Sequence, residues 1–155
     1  MGIAKPSALL LLALSVCGCS SVSDPKLSVA RATVGERSEE GLALAFTIDG
    51  VNENDTGLPL RTVKYTVELA DREVFTGTRS PEATLRRLGT QQFVLPATVR
   101  LADHPDLALR GLVPYRISGE VTYTSPGQIA ELLFDAGVRV PKAAFSGTGE
   151  VDLGS

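Results

Sequence analysis

Two cysteines near the amino terminus are the residues of this chain best suited to covalent chemistry. Cys17 and Cys19 flank Gly18, and they are the only two cysteines among the 155 residues. The rest of the chain therefore has no thiol with which to build a disulfide or a cysteine metal site. An exported chain that keeps only one terminal cysteine has a use for it, and Cys19 is the candidate for a covalent attachment.

The residues before Cys19 have the order of an export signal. Lys5 supplies a positive charge, and residues 8–16 form an unbroken apolar run that ends near small Gly18. The run is shorter than the roughly 20 apolar residues that cross a bilayer. We therefore expect a signal peptide that is cleaved, not a retained membrane span.

The end of this segment, Val16-Cys17-Gly18-Cys19, resembles the bacterial lipobox. The resemblance implies diacylglycerol attachment to Cys19, cleavage between Gly18 and Cys19, and acylation of the new amino terminus. Several acyl chains anchor stably, because each buried methylene adds about 0.8 kcal/mol. The alternative is an ordinary signal peptide that leaves Cys19 free. In lipoproteins that this segment resembles, Asp after the cysteine retains the protein in the inner membrane. Ser20 at that position therefore implies an outer-membrane location facing the periplasm, if the cell has an outer membrane.

Other polar groups have weaker claims to chemistry. His104 is the only histidine and has Asp103 and Asp106 beside it, but sequence neighbours do not build a catalytic triad. The run from Asn52 to Asp55 could hold a calcium ion through clustered oxygens, although it lacks the spacing of an EF-hand loop. An ordinary polar turn is the favoured interpretation. We expect no cofactor and no metal.

Composition limits the partners. Removing residues 1–18 from 155 leaves 137 residues with 14 basic and 18 acidic side chains, a net charge of −4. Nucleic acid is not expected as a partner, because binding phosphates requires a basic surface. Tryptophan is absent and aromatic residues make up only 5% of the chain, which disfavours stacking platforms for sugars or bases.

The hydrophobic pattern after Pro25 has a period of two, which is typical of β-strands with one buried face. Turn-forming pairs such as Asp49-Gly50 separate the apolar runs. The pattern predicts an all-β, antiparallel Ig-like or fibronectin-III-like sandwich of about seven strands. The strands are expected near residues 27–33, 42–48, 62–69, 73–78, 92–99 and 115–124, with one or two more in 129–134 and 144–153.

Three local features refine this prediction. Pro96 is expected to end the fifth strand or to force a bulge in it. Single helical turns are predicted at 80–85 and 103–109. Tyr115, near the start of the long sixth strand, is a candidate for a tyrosine corner, with an ordinary core tyrosine as the alternative.

The order of these strands and turns resembles the late-embryogenesis-abundant type 2 family, whose core is the water-stress and hypersensitive-response domain. The most specific part is Asn52-x-Asn54 ahead of Leu58-Pro59-Leu60. The full resemblance is carried by residues 27–29, 41–48, 51–60, 63–69 and 74–77. It implies a sandwich fold and a link to desiccation or general stress, and it implies no catalytic residues. Asn52, Asn54 and Pro59 are expected to shape a structural turn, the asparagines by accepting left-handed backbone.

The sequence therefore predicts a signal peptide at 1–18, a lipidated Cys19 with a short tether at 19–25, and a sandwich domain at 26–154. The expected function is that of a non-enzymatic envelope lipoprotein linked to desiccation and stress, acting by binding or contact. The alternative is a carrier for a small hydrophobic or lipid ligand held between the sheets. The expected partners are the membrane, through the lipid, and a protein or lipid of unknown identity.

Overall fold

The structure, a computed structural model, describes residues 22–109 and 111–154. The predicted signal peptide, Gly18 and Cys19 lie outside the described residues. The all-β prediction is confirmed, with eight strands in place of about seven. They are β1 (Lys26–Arg37), β2 (Gly41–Asn52), β3 (Leu58–Leu69), β4 (Arg72–Arg79), β5 (Thr84–Leu85), β6 (Gly89–Arg100), β7 (Leu112–Tyr123) and β8 (Lys142–Asp152).

The strands form two antiparallel sheets that pack face to face. One sheet has the order β1-β2-β6, and the other has the order β4-β3-β7-β8, with the two-residue β5 paired to the start of β3. β1 also packs beside β8, where a Cβ added to Gly147 would come within 2.5 Å of the Val29 side chain. Glycine is therefore what permits the close approach of the two sheets along this side.

The core consists of the inward-facing side chains of both sheets. In β2 the buried positions alternate through Leu42, Leu44, Phe46 and Ile48, as the period of two predicts. β6 and β7 alternate in the same way. Each such side chain contributes about 1.5–3 kcal/mol when it leaves water. The buried side chains of the two sheets form one hydrophobic cluster between them.

Pro96 neither ends its strand nor bends it, so this expectation was wrong. β6 stays in register with β2 from Gly89 to Arg100, and Pro96 lies opposite Ala45. β6 is an edge strand, where a missing amide hydrogen is tolerated. The hydroxyl of Tyr65 in the opposite sheet donates a hydrogen bond to the Pro96 carbonyl and so ties the two sheets together.

One predicted turn differs from the structure, whereas the turn predicted at Ala70-Asp71 is confirmed. Asp49-Gly50 is not a turn but continues β2, and a Cβ on Gly50 would come within 2.6 Å of Leu85. The tight turn lies between β3 and β4 at Ala70 and Asp71, whose φ angles are 48° and 61°. Two positive φ angles are what a two-residue hairpin loop requires to match the strand twist.

The predicted strand at 129–134 is a helix, α1 (Gln128–Asp135). A short apolar run is compatible with either a strand or a helix. The N-cap residue of α1 is Gly127, which has no side chain to signal the start of a helix. The helix ends in a Schellman motif: Gly137 N–H donates to Phe134 O and Val138 N–H donates to Leu133 O, both at 2.9 Å. Of the two suggested helical turns, the second forms a 3-10 helix (Pro105–Leu109), whereas the first contains β5.

Candidate functional site

The loops of the sandwich are grouped at its two ends, here called the proximal and the distal pole. The proximal pole, where the chain enters β1, comprises residues 22–26, 53–57, 79–88 and 124–142. The distal pole comprises residues 36–41, 70–72, 100–109 and 150–154. The candidate site is the proximal pole, because it lies next to the segment that carries Cys19.

The chain segment before β1 is held against the loop after β2. Ser23 N–H donates to Asn54 Oδ1 at 2.8 Å, and Asn54 Nδ2 donates to the Ser23 carbonyl at 2.9 Å. Lys26 and Glu53 form an exposed ion pair at 2.5 Å beside them. Pro25 is buried. The segment is thus fixed on both sides of Asp24.

Asn52 organises this loop from inside the domain. Its side chain is 1% exposed, and its Nδ2 donates to the Thr56 carbonyl at 2.8 Å and to the Leu85 carbonyl at 3.3 Å. Its Oδ1 accepts hydrogen bonds from Asn54 N–H at 3.0 Å and from Asn54 Nδ2 at 2.8 Å. Asn52 therefore supports Asn54, and Asn54 in turn holds Ser23.

Tyr123 and Asp24 make a second attachment of the amino-terminal segment. The Tyr123 hydroxyl, at the end of β7, donates to Asp24 Oδ1. Burial, and then the hydrogen bond and negative charge of Asp24, raise the pKa of Tyr123 well above its ordinary value. The neutral phenol is therefore the stable form, and it is the form that can donate to Asp24.

Helix α1 lies at the same pole and borders an open, mainly apolar hollow. Arg61 of β3 contacts helix α1 through the Phe134 ring, with the guanidinium 5.7 Å from the ring centre. Arg61 Nε also donates to Thr124 Oγ1 at 2.7 Å. The hollow has a volume of about 540 Å³. It is lined by Ser125, Pro126, Gly127, Ala130, Leu133, Arg139 and Pro141.

The outer side of α1 and the loop after it present bare apolar side chains. Leu132 is 70% exposed, and Val138, just beyond the Schellman glycine, is 72% exposed. None of the helices in the described part of the chain is long and apolar enough to cross a bilayer. Sequence reasoning missed this surface because 129–134 was assigned to a strand. The Gly137 that follows the apolar run is the signal that pointed to a helix.

The other predicted residues are distributed over the fold. Pro59 lies within β3, not in the turn, and its carbonyl accepts a hydrogen bond from Thr124 N–H at 3.0 Å. The asparagines do not supply left-handed backbone; Ala70, Asp71, Glu82 and Leu88 do. His104 lies at the distal pole, in the loop before the 3-10 helix, away from the amino-terminal segment.

Tyr115 packs edge-on against Phe46, with ring centres 5.4 Å apart. Burial raises the pKa of Tyr115. The hydrogen bonds formed by the described residues include none from its hydroxyl, so the tyrosine corner stays a prediction. Within residues 22–109 and 111–154, no three His, Cys, Asp or Glu side chains gather as a metal site. The oxygen of Asn52 that a calcium ion would use already accepts two hydrogen bonds from Asn54.

Solved structures with this fold come from several sources. The solution structure of an Arabidopsis thaliana protein has a TM-score of 0.65 and 16% identity, covering 96% of this chain and 92% of that chain. A candidate late embryogenesis abundant protein has a TM-score of 0.66 and 18% identity, with coverage of 85% and 72%. A protein from Archaeoglobus fulgidus has a TM-score of 0.52 and 13% identity, with coverage of 87% and 99%. At these identities the likeness concerns the fold alone, and no curated protein matches in sequence.

The family model described as "Late embryogenesis abundant protein" (LEA_2) matches residues 47–142. This span runs from within β2 to the first residue of β8 and includes the Asn52 loop and α1. It is more than half of the chain, and it confirms the resemblance drawn from the Asn52-x-Asn54 motif. The chain belongs to the late embryogenesis abundant type 2 family of stress-related proteins.

Proposed function

We propose that this protein is a lipid-anchored, non-enzymatic stress-protection protein of the cell envelope, which acts by contact at a membrane surface. The observation that carries the proposal is the attachment of the amino-terminal segment to the domain through Ser23 and Asn54. A flexible tether would let a lipidated domain drift away from the bilayer. Here Val22, the residue before the hydrogen-bonded Ser23, lies only three residues after Cys19.

The reach of that connection is short. Three residues span at most about 10 Å when fully extended. A diacylglycerol on Cys19 therefore places the lipid surface within about 10 Å of the Val22 backbone, whatever path the connecting residues take. The domain then works beside the bilayer at the proximal pole.

The polar groups inside the domain support a non-enzymatic role. The buried polar residues among those described are Thr47, Asn52 and Thr124. Each is engaged in the scaffold: Thr47 with Arg31, Asn52 with its loop, and Thr124 with Arg61 and Pro59. These groups stabilise loops and strands and are not arranged around a cleft.

Survival of a deletion strain under drying, osmotic shock and detergent tests this proposal. We expect wild-type protein to restore tolerance and to fractionate with membranes, and Cys19→Ser protein to do neither. Cys17→Ser is the matched control, because it removes the neighbouring thiol but leaves Gly18-Cys19 intact. Full rescue by a soluble Cys19→Ser protein would refute a need for the anchor, and a deletion strain with normal tolerance would refute the stress function.

A second candidate function is a carrier for an apolar or lipid ligand. Buried side chains of both sheets occupy the region where that ligand was expected. The hollow beneath α1, about 540 Å³ in volume, is the feature that favours this alternative. Native mass spectrometry of protein taken from its own host should show a lipid adduct. Ala130→Phe should remove the adduct by filling the hollow, and Ala136→Phe, on the exposed end of the same helix, should retain it.

A further inference from the structure

We infer that the proximal pole is a lipid-binding face, and that the outer side of α1 and the loop after it rest in the headgroup region of the bilayer to which the chain is anchored. This inference rests on the proposed function, because Cys19 supplies the attachment. It goes further by assigning the orientation of the domain and the side chains that touch lipid.

The exposed apolar side chains are concentrated at this pole. Among the described residues, seven large hydrophobic side chains are exposed, and five of them belong to the proximal pole. The five are Val22, Leu88, Leu132, Val138 and Val140. Only Leu112, at the opposite end, and Val94, in the middle of β6, lie elsewhere. Single exposed apolar residues are ordinary, but their collection at one end marks an interaction surface.

Acidic residues are in excess at the distal pole but not at the proximal pole. The proximal pole carries six acidic and six basic residues within its ranges 22–26, 53–57, 79–88 and 124–142. The distal ranges 36–41, 70–72, 100–109 and 150–154 carry eight acidic and three basic residues. An anionic lipid surface repels acidic groups within a Debye length, about 8–10 Å at physiological salt. The acidic and basic residues of the proximal pole balance, so this pole can approach such a surface without a net repulsion. The distal pole, with five more acidic than basic residues (8 − 3), is repelled.

The orientation is fixed by contacts within the domain. Asn54 holds Ser23, and Tyr123 holds Asp24, so residues 23–24 lie at the same pole as α1. Arg61 holds α1 through the Phe134 ring, and its Thr124 partner immediately follows the strand that carries Tyr123. The amino-terminal segment and the apolar surface thus lie at the same end of the domain. A bilayer within about 10 Å of Val22 is the surface that this end of the domain meets first.

The absence of tryptophan from the chain allows a direct test. Leu132→Trp places a single fluorescent probe on α1, and Leu112→Trp places one at the distal pole. The two leucines are matched, with 70% and 64% of their side chains exposed. Each processed chain, starting at Cys19, is coupled through its one thiol to a maleimide headgroup lipid in phosphatidylcholine and phosphatidylglycerol vesicles that contain brominated acyl chains.

Interfacial apolar side chains enter roughly 5–10 Å into the headgroup and acyl boundary, so we expect brominated lipid to lower Leu132→Trp emission by about twofold. Leu112→Trp emission should be unchanged. Val138→Trp is the second proximal probe and should behave like Leu132→Trp even if the helix rearranges around a new tryptophan. Equal quenching of the two poles, stronger quenching at Leu112→Trp, or no quenching at either proximal probe would overturn the inference.

The coupling chemistry separates this result from the fate of the anchor in the cell. Maleimide lipid attaches Cys19 whether or not the host acylates it. Quenching of the proximal probes combined with unmodified Cys19 in cells would sustain the lipid-binding face and reject the anchored function. Acylated Cys19 in cells, combined with no quenching of the proximal probes, would sustain the anchored function and reject the lipid-binding face.

Discussion

The side-chain amide of Asn54 and the backbone of Ser23 exchange two hydrogen bonds, of 2.8 and 2.9 Å, across 31 residues of sequence. Asn54 is itself positioned by Asn52, which lies inside the domain. The most specific motif of the family resemblance, Asn52-x-Asn54, therefore joins the interior of the sandwich to the segment that precedes β1. Its role is to fix where the chain enters the fold.

Replacing Asn52 should be more damaging than replacing Asn54. Asn52→Ala leaves the Thr56 and Leu85 carbonyls without their partner in a buried site, and each such loss costs about 1–3 kcal/mol. We expect a loss of about 2–3 kcal/mol in the free energy of unfolding, measured with urea. The side chain of Asn54 is partly exposed, so Asn54→Ala should lower the free energy of unfolding by only about 1 kcal/mol. Because Ser23 N–H loses its acceptor, hydrogen exchange of the Ser23 amide should accelerate. Equal costs for the two variants would contradict this hierarchy.

The three tyrosines predict how stability depends on alkaline pH. Burial is the main cause that raises the pKa of Tyr65, Tyr115 and Tyr123. These are all the tyrosines in the chain. Because the unfolded state loses these protons first, stability is constant below the unfolded pKa of about 10 and falls as pH rises above it.

Absorbance at 295 nm measures the same titration. Tyrosinate should appear in denatured protein near pH 10 and in folded protein only at higher pH. Tyr123→Phe should weaken the alkaline loss of stability, because it removes the one tyrosine whose pKa the charge of Asp24 also raises. A folded-state titration that coincides with the denatured one would show that the phenols are not buried.

Glycine in the middle of β7 should be intolerant of a side chain. A Cβ on Gly119 would lie 2.7 Å from the Lys64 carbonyl oxygen, a backbone atom that cannot move aside. Gly119→Ala should therefore cost about 1–3 kcal/mol. Gly35→Ala is the matched control in β1, where the nearest atom is 3.6 Å away, and it should leave the urea midpoint nearly unchanged. An unaffected midpoint in Gly119→Ala would mean that β3 and β7 separate more easily than their register implies.

Arg61 should control the stability of α1 more than that of the whole domain. Arg61→Ala removes the cation from the Phe134 ring and the donor to Thr124, for a global cost of about 1 kcal/mol. Amide exchange at Ala136 and Gly137, which close the helix, should rise much more than exchange in β2. Lys64→Ala, another exposed cation on β3, should change neither. Uniform acceleration over the domain would instead indicate that α1 and the sheets open as one unit.

The strand pattern could be predicted from sequence because burial imposes a period of two on each strand, as Leu42 to Ile48 show. Helix α1 could not, since a run of eight residues without a capping side chain fits either structure. Pro96 and Gly50 were misread for a related reason. Pro96 is tolerated because β6 is an edge strand. Gly50 is required because the Leu85 side chain, distant in sequence, packs against its backbone.

The candidate site was only partly accessible to sequence reasoning. The Asn52-x-Asn54 motif drew attention to the loop after β2, but the contact of Asn54 with Ser23 joins residues that are distant in sequence. The partnership of Asp24 with Tyr123 spans 99 residues, and no spacing rule indicates it. The apolar surface on α1 depended on identifying the helix first.

The mass of the amino-terminal peptide, measured on protein taken from the membranes of its host, tests the central claim most directly. Trypsin should release residues 19–26, because Lys26 is the first basic residue after Cys19. We predict a peptide that begins at Cys19 and carries diacylglycerol on the sulfur and an acyl chain on the amino group. A peptide that begins at another residue, or one with an unmodified Cys19, would contradict the account.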